Sequence, residues 1–133
     1  MKFTYGDILF IFQAAKQENF WEWENMPISL SLKISRFLST VEQEITVLEK
    51  ERQKILKKYS ELNEDGSVKT DEENNAVLID RENFIKEYQV ILENELELDF
   101  TPIPVSLEDL DKKGFSKSPK QLAWLIPLIE LND

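Results

Sequence analysis

The chain contains no cysteine and no histidine. Without cysteine it can form no disulfide bond and offers no thiolate nucleophile, and without either residue the usual ligands of a structural zinc site are missing. Histidine is also the side chain best suited to proton transfer near neutral pH. These absences favour a protein that is not an enzyme and that carries no cofactor.

Glycine and long apolar runs are also scarce. The chain has three glycines, none of them in a phosphate-loop pattern. No run approaches the ~20 apolar residues of a membrane-spanning helix. The start MKFTYGDILFIF has Asp7 inside its apolar run and no small-residue cleavage site, which is not typical of a secretory signal. We therefore expect no membrane partner and synthesis in the cytoplasm.

The charge is strongly unbalanced, with 26 acidic and 16 basic side chains and a formal net charge of -10. Such a surface repels phosphate backbones, so we expect no direct contact with nucleic acid. It could instead mimic DNA and occupy a basic groove on another protein. The length of 133 residues predicts a single domain, residues 1–133.

The first half of the chain has the pattern of two helices. Thr4 and Asp7 are spaced as a capping box, which predicts a helix over residues 5–17. Pro27 suits the first position of a second helix. Apolar residues then recur at steps of three and four, typical of a coiled-coil seam, and predict one unbroken helix to Leu62 in which only Arg52 interrupts the seam. The seam positions are Leu38, Val41, Ile45, Leu48, Arg52, Ile55, Tyr59 and Leu62.

The second half supplies the partner of this helix. Asp80 is placed to cap a helix that begins at Arg81 and carries apolar residues at helical spacing. Alternation over residues 96–100 predicts a half-exposed strand that pairs with residues 2–3. Ser118 and Gln121 predict a last helix, which Pro127 should kink or end. The predicted fold is mainly α: a long antiparallel helical hairpin with a β-hairpin tip, short terminal helices and a minor β element.

Residues 61–72, ELNEDGSVKTDE, match the calcium loop of an EF-hand at several positions. Glu61, Asn63, Asp65 and Glu72 occupy ligand positions around Gly66. A hairpin is the alternative: residues 64–66 make a tight turn, and Val68 pairs across DEENN with Val77 or Ile79. The hairpin explains the β-favouring run AVLI before Asp80 as well, and we favour no metal here.

Two further groups of side chains are candidates for partner binding. Phe20, Trp21 and Trp23 form either part of the core or a binding patch. Carboxylates cluster in two other segments, and such clusters indicate either a solvated acidic face or a magnesium site for hydrolysis. The acidic candidates are Glu95, Glu97, Asp99, Glu108 and Asp109.

Several segments occur in an order that resembles a known family. They are MKFTYGDI, then MPISLSLKISRFLSTVEQEITVLEKERQKILKKYSELNEDGSV, then FIKEYQVILENELELDFTPIPVSLEDL, then SPKQLAWLIPLIE. As an ordered set they resemble a widespread family of small uncharacterised proteins of tailed phages and prophages. The resemblance implies a phage origin and an acidic turn followed by a variable insert, but no activity, cofactor or catalytic residue. The chain departs from the family in NFWEWEN.

These observations together lead to a functional expectation. We expect a non-enzymatic, phage-encoded factor that binds a phage or host protein, as a minor virion or assembly component. An inhibitor of a host enzyme or defence protein, acting by acidic DNA mimicry, is the alternative. Metal-dependent hydrolysis, which would need Glu97 or Asp99, is a third hypothesis. We expect the protein in the host cytoplasm or associated with virions. Its oligomeric state is open, and we favour a monomer.

Overall fold

The computed structural model describes residues 1–112, 114–115 and 117–132. The described chain is mainly α-helical with a minor β component, as predicted. The helices are α1 (Tyr5–Gln17), α2 (Ile28–Tyr59), α3 (Arg81–Glu93), α4 (Leu107–Lys112) and α5 (Pro119–Leu122). The strands are β1 (Lys2–Thr4), β2 (Glu95–Glu97), β3 (Ile103–Ser106) and β4 (Ile129–Asn132), and two short 3-10 turns span Phe20–Glu22 and Ile126–Leu128.

Helix α1 has the predicted bounds and the predicted cap. The Thr4 hydroxyl accepts a hydrogen bond from the Asp7 amide at 3.0 Å, and the Asp7 carboxylate accepts one from the Thr4 amide at 3.0 Å. This capping box satisfies two of the amides that a helix start leaves without partners. The inner face of α1 then buries Ile8, Ile11, Phe12 and Ala15.

Helix α2 is a single uninterrupted helix of 32 residues. Arg52 does not break it: the side chain is half-buried, and its guanidinium donates to Glu49 at 3.0 Å. Two details of the prediction are wrong. Pro27 is the capping residue rather than the first helical one, and the helix ends at Tyr59 because Ser60 already has extended backbone. Leu62 is consequently outside the seam and exposed.

Helix α3 begins as predicted, with the Asp80 carboxylate accepting from the Asn83 amide at 3.1 Å. It packs against α2 as the second helix of a helical hairpin. None of its residues is fully buried. A polar contact adds to the pairing, since the Lys58 ammonium and the Tyr59 hydroxyl both donate to Glu87, each at 2.8 Å.

Two small sheets flank the helices. Strands β1 and β2 pair antiparallel with Phe3 opposite Leu96, so the predicted pairing is confirmed but the strand is shorter than the predicted 96–100. The sequence pattern did not predict the second sheet, in which β3 and β4 pair in parallel with Val105 opposite Leu131. Pro104 interrupts β3, and Pro127 lies two residues before β4, which hid both strands from the pattern.

The predicted last helix is much shorter than expected. Ser118 and Gln121 form the predicted capping box, but α5 ends at Leu122. Pro127 then lies in a 3-10 turn, because proline can donate no backbone hydrogen bond to continue a helix. The residues after this turn extend as β4 instead of forming a last helical turn.

The hydrophobic core lies at one end of the molecule, which we call the head. It brings together α1, the first half of α2 and both sheets, and its most deeply buried side chains include Ile8, Ile34, Leu38, Trp124 and Leu128. Beyond residue 47, α2 is paired with α3, and only Leu48, Ile55 and Leu56 on this part of α2 are buried. We call residues 48–88 the arm, and residues 60–79 at its end the tip.

Candidate functional site

The tip is built from one turn motif used twice. In the first turn the Asn63 amide donates to the Ser67 carbonyl at 2.7 Å and the Gly66 amide donates to the Asn63 carbonyl at 3.0 Å. In the second, Asp71, Asn74 and Asn75 repeat this pattern at 2.8 and 3.0 Å. Gly66 and Asn74 both have left-handed backbone, with φ of 86° and 69°. The two turns are therefore equivalent hairpins, each a type I turn closed by a left-handed residue.

The tip has three extended segments, around Glu61, Lys69 and Val77. Backbone hydrogen bonds join these segments into a ring. The Glu61 amide donates to the Val77 carbonyl at 2.8 Å, the Val77 amide to Lys69 at 2.9 Å, and the Lys69 amide to Glu61 at 2.8 Å. Each segment thus contacts both others. The Ile79 amide donates to the Tyr59 carbonyl at 2.7 Å and attaches the ring to the end of α2.

The ring corrects the predicted pairing of the hairpin. Val68 pairs with Leu62, and Thr70 pairs with Ala76 across DEENN. The prediction of Val77 or Ile79 opposite Val68 is wrong in its register, because Thr70 opposite Ala76 places Lys69, not Val68, beside Val77. The signal that sets this register is Asn74, since asparagine tolerates left-handed backbone better than most residues.

The four residues of the calcium-loop interpretation are divided between the two turns. Asp65 accepts from the Ser67 amide at 2.9 Å, and the Asn63 side chain donates to the Ser67 hydroxyl at 3.0 Å. The Ser67 hydroxyl also donates to Asp65, at 2.5 Å, and this hydrogen bond, followed by the one from the Ser67 amide, lowers the pKa of Asp65. Glu61 lies 3.7 Å from the Lys69 ammonium, and Glu72 belongs to the other turn. Across the described ranges, no three acidic side chains come together as a metal site would require.

The tip carries a large share of the charge of the chain. Residues 60–79 contain six acidic side chains and one lysine, so their formal charge of -5 is half of the total of -10. Nearly all residues of both turns are exposed. Leu62 and Ile79 are exposed as well, and Ile79 retains 71% of its accessible surface. The arm therefore ends in an acidic surface with two apolar side chains at its base.

The aromatic candidates separate into core and surface. Phe20 is 3% exposed, and its ring lies 5.4 Å from the rings of both Trp23 and Trp124. The Trp23 indole donates to the Glu18 carbonyl at 2.6 Å. Trp21, by contrast, is 55% exposed. Phe20 and Trp23 thus help to build the head, and of the three only Trp21 is on the surface.

The acidic candidates of the head lie in three different places. Glu95 and Glu97 are exposed on β2, and Glu97 accepts from the Met1 ammonium at 2.9 Å. Asp99 lines a cavity of about 550 Å³ that Lys33 and Arg36 also line. The other two, on α4, are Glu108, which pairs with Lys112 at 3.1 Å, and Asp109, whose amide donates to Ser106 at 3.3 Å. Part of this acidic charge is thus already paired within the chain.

Two tyrosines along the helices have altered acidity. Burial raises the pKa of Tyr5, and the hydrogen bond that its hydroxyl donates to Glu44 at 3.1 Å raises it further. Burial also raises the pKa of Tyr88 on α3. Both shifts keep the hydroxyl protonated near neutral pH, where it can donate a hydrogen bond but cannot act as a base.

Within the described residues, none of the helices is both long and apolar enough to cross a membrane. Comparison with protein-family models, with curated proteins and with solved structures found no match to this chain.

Proposed function

We propose that the protein is a non-enzymatic, phage-encoded factor that binds another protein through the tip at the end of its arm, as a minor virion or assembly component. The proposal of a phage origin rests on the resemblance of the ordered segments to the phage and prophage family. The proposal of protein binding rests on the shape and charge of the arm.

The observation that carries the proposal is a projecting arm that ends in an acidic tip. Helix α2 has 32 residues, which at ~1.5 Å per residue makes it about 48 Å long. Its core contacts are concentrated in the first half, while the second half is paired with a helix that has no fully buried residue. A folded chain gains little stability from such an extension, so presentation of the tip to a partner is a physical reason for it.

The tip offers the partner charge and two apolar side chains. Glu64, Glu72 and Glu73 are exposed, and Leu62 and Ile79 lie at the base of the turns. A basic surface with an apolar centre would match this arrangement. Long-range attraction to the charges would accelerate encounter, and contact with the apolar side chains would slow dissociation.

The test is affinity purification of the tagged protein from cells in which the encoding phage replicates, together with quantification of the protein in purified virions. The tip variant Glu64→Gln/Glu72→Gln/Glu73→Gln removes three charges whose side chains are not needed for the turns. We expect it to lose the captured protein and its place in virions. The matched control Glu22→Gln/Glu24→Gln/Glu93→Gln removes the same charge elsewhere and should retain both.

A fixed stoichiometry in wild-type virions supports the assembly role. Absence from virions together with equal capture by the tip variant and the wild type would contradict the proposal. The amount of protein in virions tests the assembly role, and the comparison of capture by the tip variant and the wild type tests the binding surface.

The acidity of the tip favours one second candidate, an inhibitor that occupies a basic groove of a host enzyme or defence protein. This protein would be absent from virions and would bind one host protein. Its affinity should fall steeply between about 50 and 500 mM salt, since the Debye length shortens over that range. An affinity that does not change with salt would contradict inhibition by charge mimicry.

A further inference from the structure

A groove of about 690 Å³ runs along one side of α2. Phe12 of α1 and Ile45 of α2 form its apolar end. The remaining lining residues come from α2 at helical spacing, so they form one continuous stripe. Its charged members are Glu42, Glu49, Lys50, Lys54 and Lys57.

The charges on this stripe are ordered along the helix. The two acidic side chains, Glu42 and Glu49, precede the three basic ones. A stripe that is acidic at one end and basic at the other is complementary to a copy of itself that runs in the opposite direction. We propose that this groove is the interface of a two-fold symmetric homodimer in which the α2 helices of two copies pack antiparallel.

The register of the pairing follows from the positions of the charges. With the two-fold axis between residues 49 and 50, Glu42 faces the partner's Lys57 and Glu49 faces the partner's Lys50. Thr46 faces the partner's Gln53, and both can hydrogen-bond. Ile45, which is half-buried, faces the aliphatic stem of the partner's Lys54, and this stem can cover its exposed part. Because the interface is isologous, every contact occurs twice.

Other arrangements of two copies fit less well. A parallel pair of the same stripe would place each glutamate against the same glutamate of the partner, and each lysine against the same lysine. The exposed stripe of α3 has two apolar residues, Ile85 and Val90, but an antiparallel copy would place Glu82 against the partner's Glu93. Like charges at such positions oppose association. The groove on α2 combines an apolar end with charges that are complementary in the antiparallel pairing.

The dimer is tested by sedimentation equilibrium of the full chain from about 10 μM to about 1 mM. Two charge-reversed variants are compared: Glu42→Lys/Glu49→Lys, and Lys50→Glu/Lys57→Glu. Each variant alone places like charges across the axis and should dimerise at least about tenfold more weakly than the wild type. A mixture of the two variants places opposite charges at all four positions, so it should regain association as a heterodimer.

A second readout determines the register without changing any charge. Because the chain has no cysteine, a single introduced cysteine is the only thiol. A short bismaleimide should crosslink Thr46→Cys to Gln53→Cys in a mixture more efficiently than it crosslinks either variant to itself.

The control for the charge-reversed variants is Lys33→Glu/Lys120→Glu. It makes the same charge change as Lys50→Glu/Lys57→Glu outside the groove and should dimerise like the wild type.

Three results would overturn the inference. The first is a wild type that stays monomeric up to about 1 mM. The second is a pair of charge-reversed variants that each dimerise as tightly as the wild type, which would assign the interface to another surface. The third is a mixture that associates no better than its separate components. The tip is absent from this interface, so these outcomes are independent of partner binding by the tip.

Discussion

At the scale of single residues, the two turns of the tip place two different residues in the same left-handed backbone conformation. Gly66 and Asn74 occupy equivalent left-handed positions in the two turns. Glycine adopts this conformation without strain because it has no Cβ, and asparagine tolerates it. The first turn contains Asp65-Gly66, a strong turn signal, whereas the equivalent pair of the second turn, Glu73-Asn74, is a weaker one.

This equivalence predicts the effect of substitution at Gly66. Nothing lies within 4 Å of an added Cβ, so strain in the left-handed backbone is the only cost. We expect Gly66→Ala to destabilise the tip by about 1 kcal/mol, and hydrogen exchange of the Gly66 and Ser67 amides should accelerate. Gly66→Asn should have a smaller effect, because Asn74 shows that asparagine fits. Equal exchange in Gly66→Ala and the wild type would contradict the equivalence of the turns.

The carboxylate of Glu87 predicts a dependence of stability on pH. Hydrogen bonds from Lys58 and then from the Tyr59 hydroxyl lower its pKa below the ordinary value of 4.5. A carboxylate with a lowered pKa in the folded state stabilises that state above the ordinary value, and the contribution is lost as the pH falls through the lowered one. The Glu87→Gln variant should therefore lose less stability than the wild type on acidification from about pH 5 to about pH 3.

Urea unfolding at several pH values measures this difference. Glu93→Gln removes an exposed carboxylate from the same helix and should retain the pH dependence of the wild type. If the curves of Glu87→Gln and the wild type run parallel through the acidic range, the contact between α2 and α3 does not depend on this carboxylate.

At the scale of elements, local signals predicted the helix starts well. The caps at Thr4, Asp80 and Ser118 are all present, and α1 has its predicted bounds. These signals depend on a few neighbouring residues, which a sequence displays directly. The pairing of β3 with β4 joins residues 103–106 to residues 129–132, and no local pattern specifies such a partner. The groove on α2 could not be predicted either, because the exposed side of α2 depends on where α1 ends.

The cap of α3 has a measurable effect on this helix. Because α3 buries no residue fully, its start depends on the hydrogen bond between Asp80 and the Asn83 amide more than a core helix would. We expect Asp80→Ala to destabilise the arm by about 1 kcal/mol. Asp80→Asn keeps a capping side chain and should be close to the wild type. Hydrogen exchange of the first turn of α3 is the measurement, and equal rates in both variants would contradict the role of the cap.

At the scale of the whole molecule, the chain forms the head from both of its ends. Residues before the tip supply α1, β1 and the first half of α2, and residues after the tip supply β2, β3 and β4. Phe20 packs on Trp124 with ring centroids 5.4 Å apart, and Phe37 packs on Phe100 at 4.6 Å. The arm and tip are the covalent connection between these two halves of the head.

This organisation predicts that a chain divided at the tip still assembles. Fragments 1–65 and 66–133, produced together, should copurify in equal amounts, because each lacks the apolar surface that the other supplies and burial of that surface favours the complex. The near-UV circular dichroism of the clustered tryptophans should match that of the intact protein. As a control, division between residues 44 and 45 cuts α2 next to the core and should give no soluble complex. Fragments 1–65 and 66–133 that separate on a sizing column would show instead that the tip holds the two halves of the head together.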